Sequence, residues 1–287
     1  DTGQTGWGYG GGGKAAVEIV NGHFAEILVG RSVNSISDIA ETWDFLYAES
    51  IPYGRGGVAI MALSGVDLAL YDVLGKAEGK PVAALLGGAN KDRMRCYATG
   101  PDTNWYAELG FTAQKMPHRW TGEDSIDQAV CTAESARDAL GPDAEVMFDV
   151  YMSWDSQITL RMAAALAHVG MHWFEDVLTP DDLQELGALK PGIRPISMAG
   201  GEHEFTTLGF AEIARTGAYD IWQPDITWCG GLTAGRRIAR LVEAAGLELV
   251  PHRGGSLWGL PIALTSPSCT MAESLPTGSV LLDAMRP

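Results

Sequence analysis

Three features are scarce in this sequence: long apolar runs, positive charge and paired cysteines. No apolar run reaches about 18–20 residues, the length that a membrane-spanning helix needs, and no signal peptide is visible at the start. We therefore expect no membrane segment. The chain carries 20 Lys and Arg against 36 Asp and Glu, a formal net charge of −16. Nucleic acids and anionic membranes both require a basic surface, so the net charge disfavours them, and we expect neither as a partner.

The cysteine content limits the compartment and the chemistry. The four cysteines are Cys96, Cys131, Cys229 and Cys269, and no two of them form a CxxC pair. Each lies in an apolar or strand-like stretch. This usage predicts four buried, reduced thiols, which is typical of a cytoplasmic protein.

The remaining composition is that of a globular enzyme, with 287 residues, 46% hydrophobic and 20% charged. That length suffices for one barrel of about 200–250 residues and a smaller additional region. Residues 1–88 read as mainly helical after a Gly-rich opening, with helices predicted over Ala15–Leu28, Ser37–Glu49 and Ala59–Glu78. Residues 89–287 alternate short apolar strands with helices, including a strand predicted over Glu145–Asp149 and helices predicted over about Asp124–Leu140 and Ser156–Val169. Such alternation predicts a parallel sheet, and this many repeats favour a closed (β/α) barrel.

Acidic residues and one histidine recur at the ends of the predicted strands. Successive gaps are about 21–27 residues, the length of one strand-plus-helix unit in a barrel. Residues at the carboxyl ends of barrel strands converge on one opening. Three carboxylates from adjacent strands form a site for a hard divalent cation, and an Asp and a His from the next two strands form a base with its orienting partner. The residues are Asp149, Glu175, Glu202, Asp225, His252 and Glu273.

Several motifs together resemble a known family. ALSGVDLALYDVLGKAEGKPVAALLGG (Ala62–Gly88) is similar to the segment that ends the capping domain in the mandelate racemase and muconate lactonising branch of the enolase superfamily. GFTAQKMPHRW, FDVYMSWD, GGEHEFT, QPDITWCGGLT and VPHRGG resemble the rhamnonate dehydratase-like acid-sugar dehydratases. The resemblance covers nearly the whole chain. It implies a modified TIM barrel of the (β/α)7β type (89–287) with a partial N-terminal α+β capping domain (1–88).

The resemblance also implies roles for individual residues. Asp149, Glu175 and Glu202 match the ligands of one Mg²⁺, and the same ligand set also suits Mn²⁺. Asp225 and His252 match the Asp–His dyad that exchanges the α-proton or serves the leaving hydroxide. Glu273 matches the carboxylate of the family's eighth strand, which would hydrogen-bond the substrate carboxyl group or position the leaving hydroxyl. The implied reaction removes the proton next to a sugar-acid carboxylate and eliminates the β-hydroxyl to give a 2-keto-3-deoxy acid. Family members commonly form dimers and octamers.

One position departs from the family pattern. Many members carry Lys-x-Lys on the second strand, whereas this chain has Lys115, Met116 and Pro117. Lys115 can neutralise the substrate carboxylate, but the second base is missing, which disfavours two-base racemisation. His203 either points toward the substrate or packs the strand end. Arg253 either binds a distal substrate oxygen or pairs with a barrel acid.

Two alternatives to a sugar-acid dehydratase stay open. One is an epimerase or racemase of the same superfamily, and the other is a non-catalytic barrel that retains its metal site. At the level of single residues, Asp225 could be a helix N-cap and His252 a structural residue.

The Gly-rich stretch GWGYGGGGK (Gly6–Lys14) lacks the preceding strand that a nucleotide-binding motif needs, so we predict a flexible turn there. Relative to the family, the strands and mobile loop that begin the capping domain and the segment that rejoins it are expected to be absent.

Overall fold

Helices form the first part of the chain, as the apolar spacing predicts. The structure, a computed structural model, describes residues 3–276. Ser35 caps the third of these helices by accepting the Asp38 N–H at 3.2 Å, and Gly79 ends the fourth in the left-handed conformation with a φ of 63°. The helices are α1 (Gly13–Ile19), a π-helical segment (Val20–Phe24), α2 (Ala25–Leu28), α3 (Ile36–Ser50), α4 (Val58–Glu78) and α5 (Val82–Leu85).

Helix α4 corrects the expectation that no segment is apolar enough to cross a membrane. By length and composition alone this helix passes that test. However, 61% of its apolar window is buried inside the protein, where it packs against α1, α3 and the barrel. The core helix of a globular domain has the same length and composition, so the finding is weak support for a membrane span.

The Gly-rich opening forms an extended segment against α4, so the prediction of a flexible turn was wrong. A Cβ added at Gly8 would lie 2.2 Å from the carbonyl oxygen of Gly65, and one at Gly10 would lie 1.9 Å from that of Met61. Glycine at alternate positions therefore lets the segment lie directly on the backbone of the helix. This explains the composition of the motif without a nucleotide.

Strands and helices then alternate, as predicted, through the rest of the described chain. Two predicted elements have the observed bounds, namely the helix Asp124–Leu140 and the strand Glu145–Asp149. The elements are β1 (Cys96–Thr99), α6 (Thr103–Glu108), β2 (Ala113–Pro117), α7 (Asp124–Leu140), β3 (Glu145–Asp149), α8 (Ser156–Ala165), β4 (Trp173–Glu175), α9 (Leu183–Ile193), β5 (Ser197–Gly200), α10 (Thr206–Thr216), β6 (Ile221–Trp222), α11 (Gly231–Ala245), β7 (Glu248–Leu249), α12 (Gly259–Thr265) and β8 (Ala272–Ser274).

The strands form one curled parallel sheet of eight strands in the order β7-β6-β5-β4-β3-β2-β1-β8. A parallel bridge between Leu249 and Cys269 connects β7 to the segment before β8 and brings the two edges together. The prediction of a TIM-barrel-like α/β fold is thus confirmed. Its interior is filled by one side chain from or beside each strand, as expected for a packed barrel core: Tyr97, Ala113, Met147, Trp173, Ala199, Ile221, Val250 and Met271.

The cysteines are unpaired, as predicted, but they are not all buried. Cys229 and Cys269 are buried, Cys96 is partly exposed and Cys131 is exposed on α7. The prediction of four buried thiols was therefore wrong for Cys131. Its position on the solvent-facing side of an amphipathic helix explains the difference, because the buried residues of α7 are mainly its alanines.

Candidate active site

The predicted site residues lie together at the carboxyl edge of the sheet. Asp149 ends β3 and Glu175 ends β4, and the two are direct partners in the strand register. Glu202 follows the end of β5, and Glu273 lies in β8 opposite Tyr97 of β1. Because all strands run in parallel, their carboxyl ends open on the same side of the barrel.

Lys115 is the buried cation among these acids. Its side chain on β2 is 1% exposed, and its ammonium group forms ion pairs with Glu175, with Glu273 at 3.0 Å and with Asp149 at 3.9 Å. Burial alone would lower the pKa of Lys115, but the charges of Glu175 and Glu273 outweigh it and raise that pKa well above its usual value. Lys115 therefore stays charged and supplies fixed positive potential in the barrel opening.

Glu175 is held from both sides. One carboxylate oxygen contacts Lys115, while the other accepts hydrogen bonds from Trp173 Nε1 at 3.1 Å and from Gln223 Nε2 at 2.6 Å. Burial raises the pKa of Glu175 to about 7; Lys115 opposes this rise, and the charges of Asp149 and Glu273 add to it. The ionised form is therefore costly unless positive charge is close by.

Asp225 and His252 form a hydrogen-bonded pair. His252 Nδ1 lies 2.8 Å from Asp225 Oδ2, and the other Asp225 oxygen accepts bonds from the Thr227 N–H and hydroxyl at 2.7 and 2.6 Å. Asp225 does not cap α11, whose N-cap is Gly230. Its carboxylate instead fixes the orientation of the imidazole, so that Nε2 faces the acids of the opening.

The charges around His252 favour its protonated form. Its Nε2 lies 3.3 Å from Glu202 Oε2 and 3.9 Å from Glu273 Oε2. Burial would lower the pKa of His252, but the bond to Asp225 and the charges of Glu202 and Glu273 raise it to about 9. The imidazole therefore holds a proton at neutral pH in this arrangement.

Glu273 is engaged by the protein at both oxygens. One accepts the hydroxyl of Thr99 at 2.6 Å and pairs with Lys115, and the other accepts the backbone N–H of Arg253 at 2.6 Å. Burial raises the pKa of Glu273, but Lys115, His252 and these hydrogen bonds together lower it to about 2. Glu273 is therefore a permanently charged group in the wall of the opening.

His203 and Arg253 both lie close to the ring of Trp228. The His203 ring stacks on the indole with centroids 6.0 Å apart, and the Arg253 guanidinium lies 5.8 Å from its ring centre. His203 Nε2 also lies 3.3 Å from Glu202 and 3.6 Å from Asp176. Of the two alternatives for Arg253, the ion pair with a barrel acid is not observed within residues 3–276, where its guanidinium contacts the Trp228 ring instead.

One cluster of donors in the described chain fits a hard divalent cation, and of the three predicted ligands it includes Glu202 but not Asp149 or Glu175. Among the described residues, the ligand-type atoms of Asp176, Glu202 and His203 lie within 4.8 Å of one another. Asp149 and Glu175 are adjacent through the strand register, and burial also raises the pKa of Asp149. Buried carboxylates that resist ionisation in this way are stabilised by a bound cation, because its charge replaces the lost solvation. Asp176 was not predicted from the sequence.

Backbone strain is concentrated in the same place. Asp176 and Arg253, which directly follow Glu175 and His252, have positive φ values of 50° and 54°. Residues other than glycine pay about 1–3 kcal/mol for unfavourable backbone conformations of this kind, and such residues cluster at functional sites.

The N-terminal segment reaches the edge of the site. A Cβ at Gly11 would lie 2.9 Å from Trp228 Nε1, and the Trp228 ring lies 5.5 Å from that of His252. Burial raises the pKa of Tyr9, and the charge of Asp225 adds to the rise. The segment thus contributes to the wall beside the dyad, which no sequence motif indicated.

Comparison with known proteins identifies the family. A profile described as Enolase C-terminal domain-like matches residues 103–284, and one for the Mandelate racemase / muconate lactonizing enzyme N-terminal domain matches residues 1–87. The chain belongs to the enolase superfamily. The resemblance noted from the motifs is thereby confirmed, in its mandelate racemase and muconate lactonizing branch.

Individual members of this superfamily are similar over most of the chain. An L-rhamnonate dehydratase from Saccharopolyspora erythraea is 37% identical over 267 residues, which are 92% of this chain and 67% of that protein. The crystal structure of L-rhamnonate dehydratase from Gibberella zeae is 32% identical, with a TM-score of 0.86 over 92% of this chain and 67% of that one. The Mg-complexed structure of that enzyme is also 32% identical, with a TM-score of 0.85 over 91% of this chain and 64% of that one.

Proposed function

We propose that this superfamily member is a carbon–oxygen lyase, a Mg²⁺-dependent dehydratase of a sugar acid such as L-rhamnonate. The observation that carries the proposal is the Asp225–His252 pair, which directs Nε2 of the histidine at a cluster of buried carboxylates. The similarity to L-rhamnonate dehydratases, with a TM-score of 0.86 to one of them, supports the substrate class. The unpaired cysteines support a cytoplasmic location.

The proposed metal ligands are Asp149, Glu175 and Glu202, with Mn²⁺ as a second candidate ion. A divalent cation in such a site would bind the substrate carboxylate and stabilise the negative charge that develops on it. The register that places Asp149 beside Glu175 supports the first two ligands. Glu202 lies between His203 and His252 and extends the acidic cluster toward the dyad.

The remaining residues would move protons and balance charge. His252 exchanges a proton at Nε2: as the imidazolium that the surrounding acids favour it delivers a proton to the departing hydroxyl, and only in its neutral form does it take the α-proton of the substrate. Asp225 keeps the imidazole oriented through Nδ1. Loss of the α-proton and the β-hydroxyl releases water and leaves an enol, which becomes the 2-keto-3-deoxy acid. Lys115 supplies positive charge near the substrate carboxylate, and Glu273 positions substrate groups beside it.

The residues at the end of strand β2 disfavour the epimerase or racemase alternative. Inversion requires an acid or base on both faces of the substrate carbon, and Pro117 offers neither. The one lysine of the strand, Lys115, is held in ion pairs with Glu175 and Glu273. The non-catalytic alternative is disfavoured by the dyad, because metal binding alone has no use for the buried Asp225 beside His252.

The proposal extends to substrate contacts and organisation. His203 and Arg253 would bind substrate oxygens, since both lie close to Trp228, whose ring is next to that of His252. We propose a capping domain over residues 1–88 and a barrel over residues 89–287, both of which extend beyond the described residues. The proposed partners are small-molecule sugar acids, and neither nucleic acid nor a membrane is among them. We also propose that the chain assembles into a dimer or an octamer.

The test is turnover of a panel of aldonic and aldaric acids, L-rhamnonate included, with Mg²⁺ and detection of 2-keto-3-deoxy product. Product should form from at least one acid and disappear with a chelator or in His252→Asn. The matched control is His168→Asn, which changes an exposed histidine paired with Glu134 on the surface. No product from any acid, despite folded protein, would contradict the proposal.

A further inference from the structure

One oxygen of Glu175 is occupied by two buried, uncharged donors. Trp173 donates to Oε2 from within the same strand, and Gln223 donates to it from the segment directly after β6. Trp173 is fully buried and Gln223 is 1% exposed. The two donors therefore reach the same atom from different strands, so its position depends on the packing of the barrel and not on one side-chain rotamer.

The other oxygen of Glu175 has a different environment. Oε1 faces Lys115, which also contacts Asp149 and Glu273. A carboxylate oxygen accepts about two hydrogen bonds through its lone pairs, so the bonds from Trp173 and Gln223 fill the capacity of Oε2. Oε1 accepts one such contact, from the ammonium group of Lys115, so of the two oxygens it alone has accepting capacity left for a divalent cation.

The chemical type of the donors matters in this acidic site. An amide and an indole N–H hold the carboxylate without adding a second positive charge to that of Lys115, whereas an acid at either position would repel the glutamate. The amide oxygen of Gln223 has no partner among the described residues. Burying an unpaired acceptor costs free energy, and the bond from the amide nitrogen to Glu175 offsets that cost.

We propose that Gln223 and Trp173 are positioning residues that fix Oε2 of Glu175 and thereby direct its Oε1 edge to the divalent cation. The inference rests on the proposed function, in which Glu175 is a metal ligand. Partners of this kind orient a ligand before the ion arrives, and their removal costs about 10- to 100-fold in metal affinity.

The chain offers matched controls for both residues. Gln114 is also a fully buried barrel glutamine with an unpaired amide oxygen, but its nitrogen donates at 2.9 Å to the backbone of Gly100. Trp222 is also a fully buried tryptophan in a strand of the sheet, β6, but its indole nitrogen has no partner among the described residues. Each control loses the same atoms as its counterpart and leaves Glu175 untouched.

The experiment is calorimetric titration of the metal-free full chain with Mg²⁺ for the wild type, Gln223→Met, Gln114→Met, Trp173→Phe and Trp222→Phe. Circular dichroism checks that each variant is folded. Gln223→Met and Trp173→Phe should each weaken Mg²⁺ binding about 10- to 100-fold. Gln114→Met and Trp222→Phe should bind as the wild type does. Since each donor is tested by its own variant, failure of one variant to fold leaves the other as the test.

Three results would overturn the inference. Unchanged Mg²⁺ affinity in folded Gln223→Met or Trp173→Phe would show that their bonds do not position the ligand. Equal weakening in the controls would show that any change in the barrel interior lowers the affinity. A wild-type chain that binds no Mg²⁺ would instead contradict the proposed function itself, and the inference with it.

Discussion

Replacing Asp67 by asparagine isolates the charge of a carboxylate that joins the N-terminal helices to the barrel. Asp67 lies on α4 and is 1% exposed. It accepts the backbone N–H and the hydroxyl of Thr233 at 3.0 and 2.6 Å, and it also accepts the N–H of Leu232. These donors belong to the first turn of α11, whose N-cap residue Gly230 has no side chain to satisfy them.

The size of the effect follows from the pKa of this group. Burial raises the pKa of Asp67 from 3.8 to about 7, although the bonds from Thr233 and Leu232 and the charge of Arg237 lower it. Between these values the folded protein binds a proton that the unfolded chain has released. The contribution of Asp67 to the unfolding free energy is therefore greatest below a pH of about 4, and it falls as the pH rises to about 7. One pH unit corresponds to about 1.4 kcal/mol, so the difference amounts to about 4 kcal/mol.

The assay is urea unfolding of the wild type and Asp67→Asn at pH 4 and at pH 8. Other titrating groups are common to both proteins and cancel in the comparison, and the altered hydrogen bonding of asparagine affects both pH values alike. From the lower to the higher pH, the variant should gain about 4 kcal/mol in unfolding free energy relative to the wild type. A difference between the two proteins that does not change with pH, or that changes in favour of the wild type, would refute the reasoning.

Two further predictions concern packing and exposure. Gly8→Ala should lower the unfolding free energy by about 1–3 kcal/mol, because its Cβ would lie 2.2 Å from a backbone oxygen of α4. Gly22→Ala is the control, because nothing lies within 4 Å of its added Cβ. If urea unfolding gave Gly8→Ala the same unfolding free energy as the wild type, the result would contradict the account. A maleimide should label exposed Cys131 in the native protein and spare buried Cys229 and Cys269, as mass spectrometry would show. Equal labelling of all three would contradict the fold.

The regular elements were predictable where one face of an element is apolar and the other polar. Helix α7 and strand β3 have the predicted bounds because their alternation is uninterrupted. The helix expected over Ser156–Val169 ends earlier, at Ala165, and α12 was not predicted at all. In α12 the sequence GLPIALT has no polar face, so periodicity carries no signal. Likewise, alternate glycines on an α-helix leave no pattern that distinguishes a packed segment from a flexible turn.

The position of the site was predictable from topology, and its internal contacts were not. Any acid or histidine at the carboxyl end of a strand in a parallel barrel must face the same opening, which places Asp149, Glu175 and His252 near one another. The bond from Gln223 to Glu175 joins β4 to the segment after β6 across the barrel. Such contacts depend on strand tilt and side-chain rotamers, for which sequence spacing contains no information. The same holds for the ion pairs of Lys115.

The most direct test of the central claim is proton NMR of the full chain with L-rhamnonate and Mg²⁺, recorded as a time course. The account predicts loss of the substrate signals together with the appearance of new methylene protons at C3 of a 2-keto-3-deoxy acid. Signals of a C2 epimer without methylene protons would contradict the dehydratase and favour the epimerase. Unchanged substrate in the presence of folded, Mg²⁺-bound protein would contradict the assignment of L-rhamnonate as substrate.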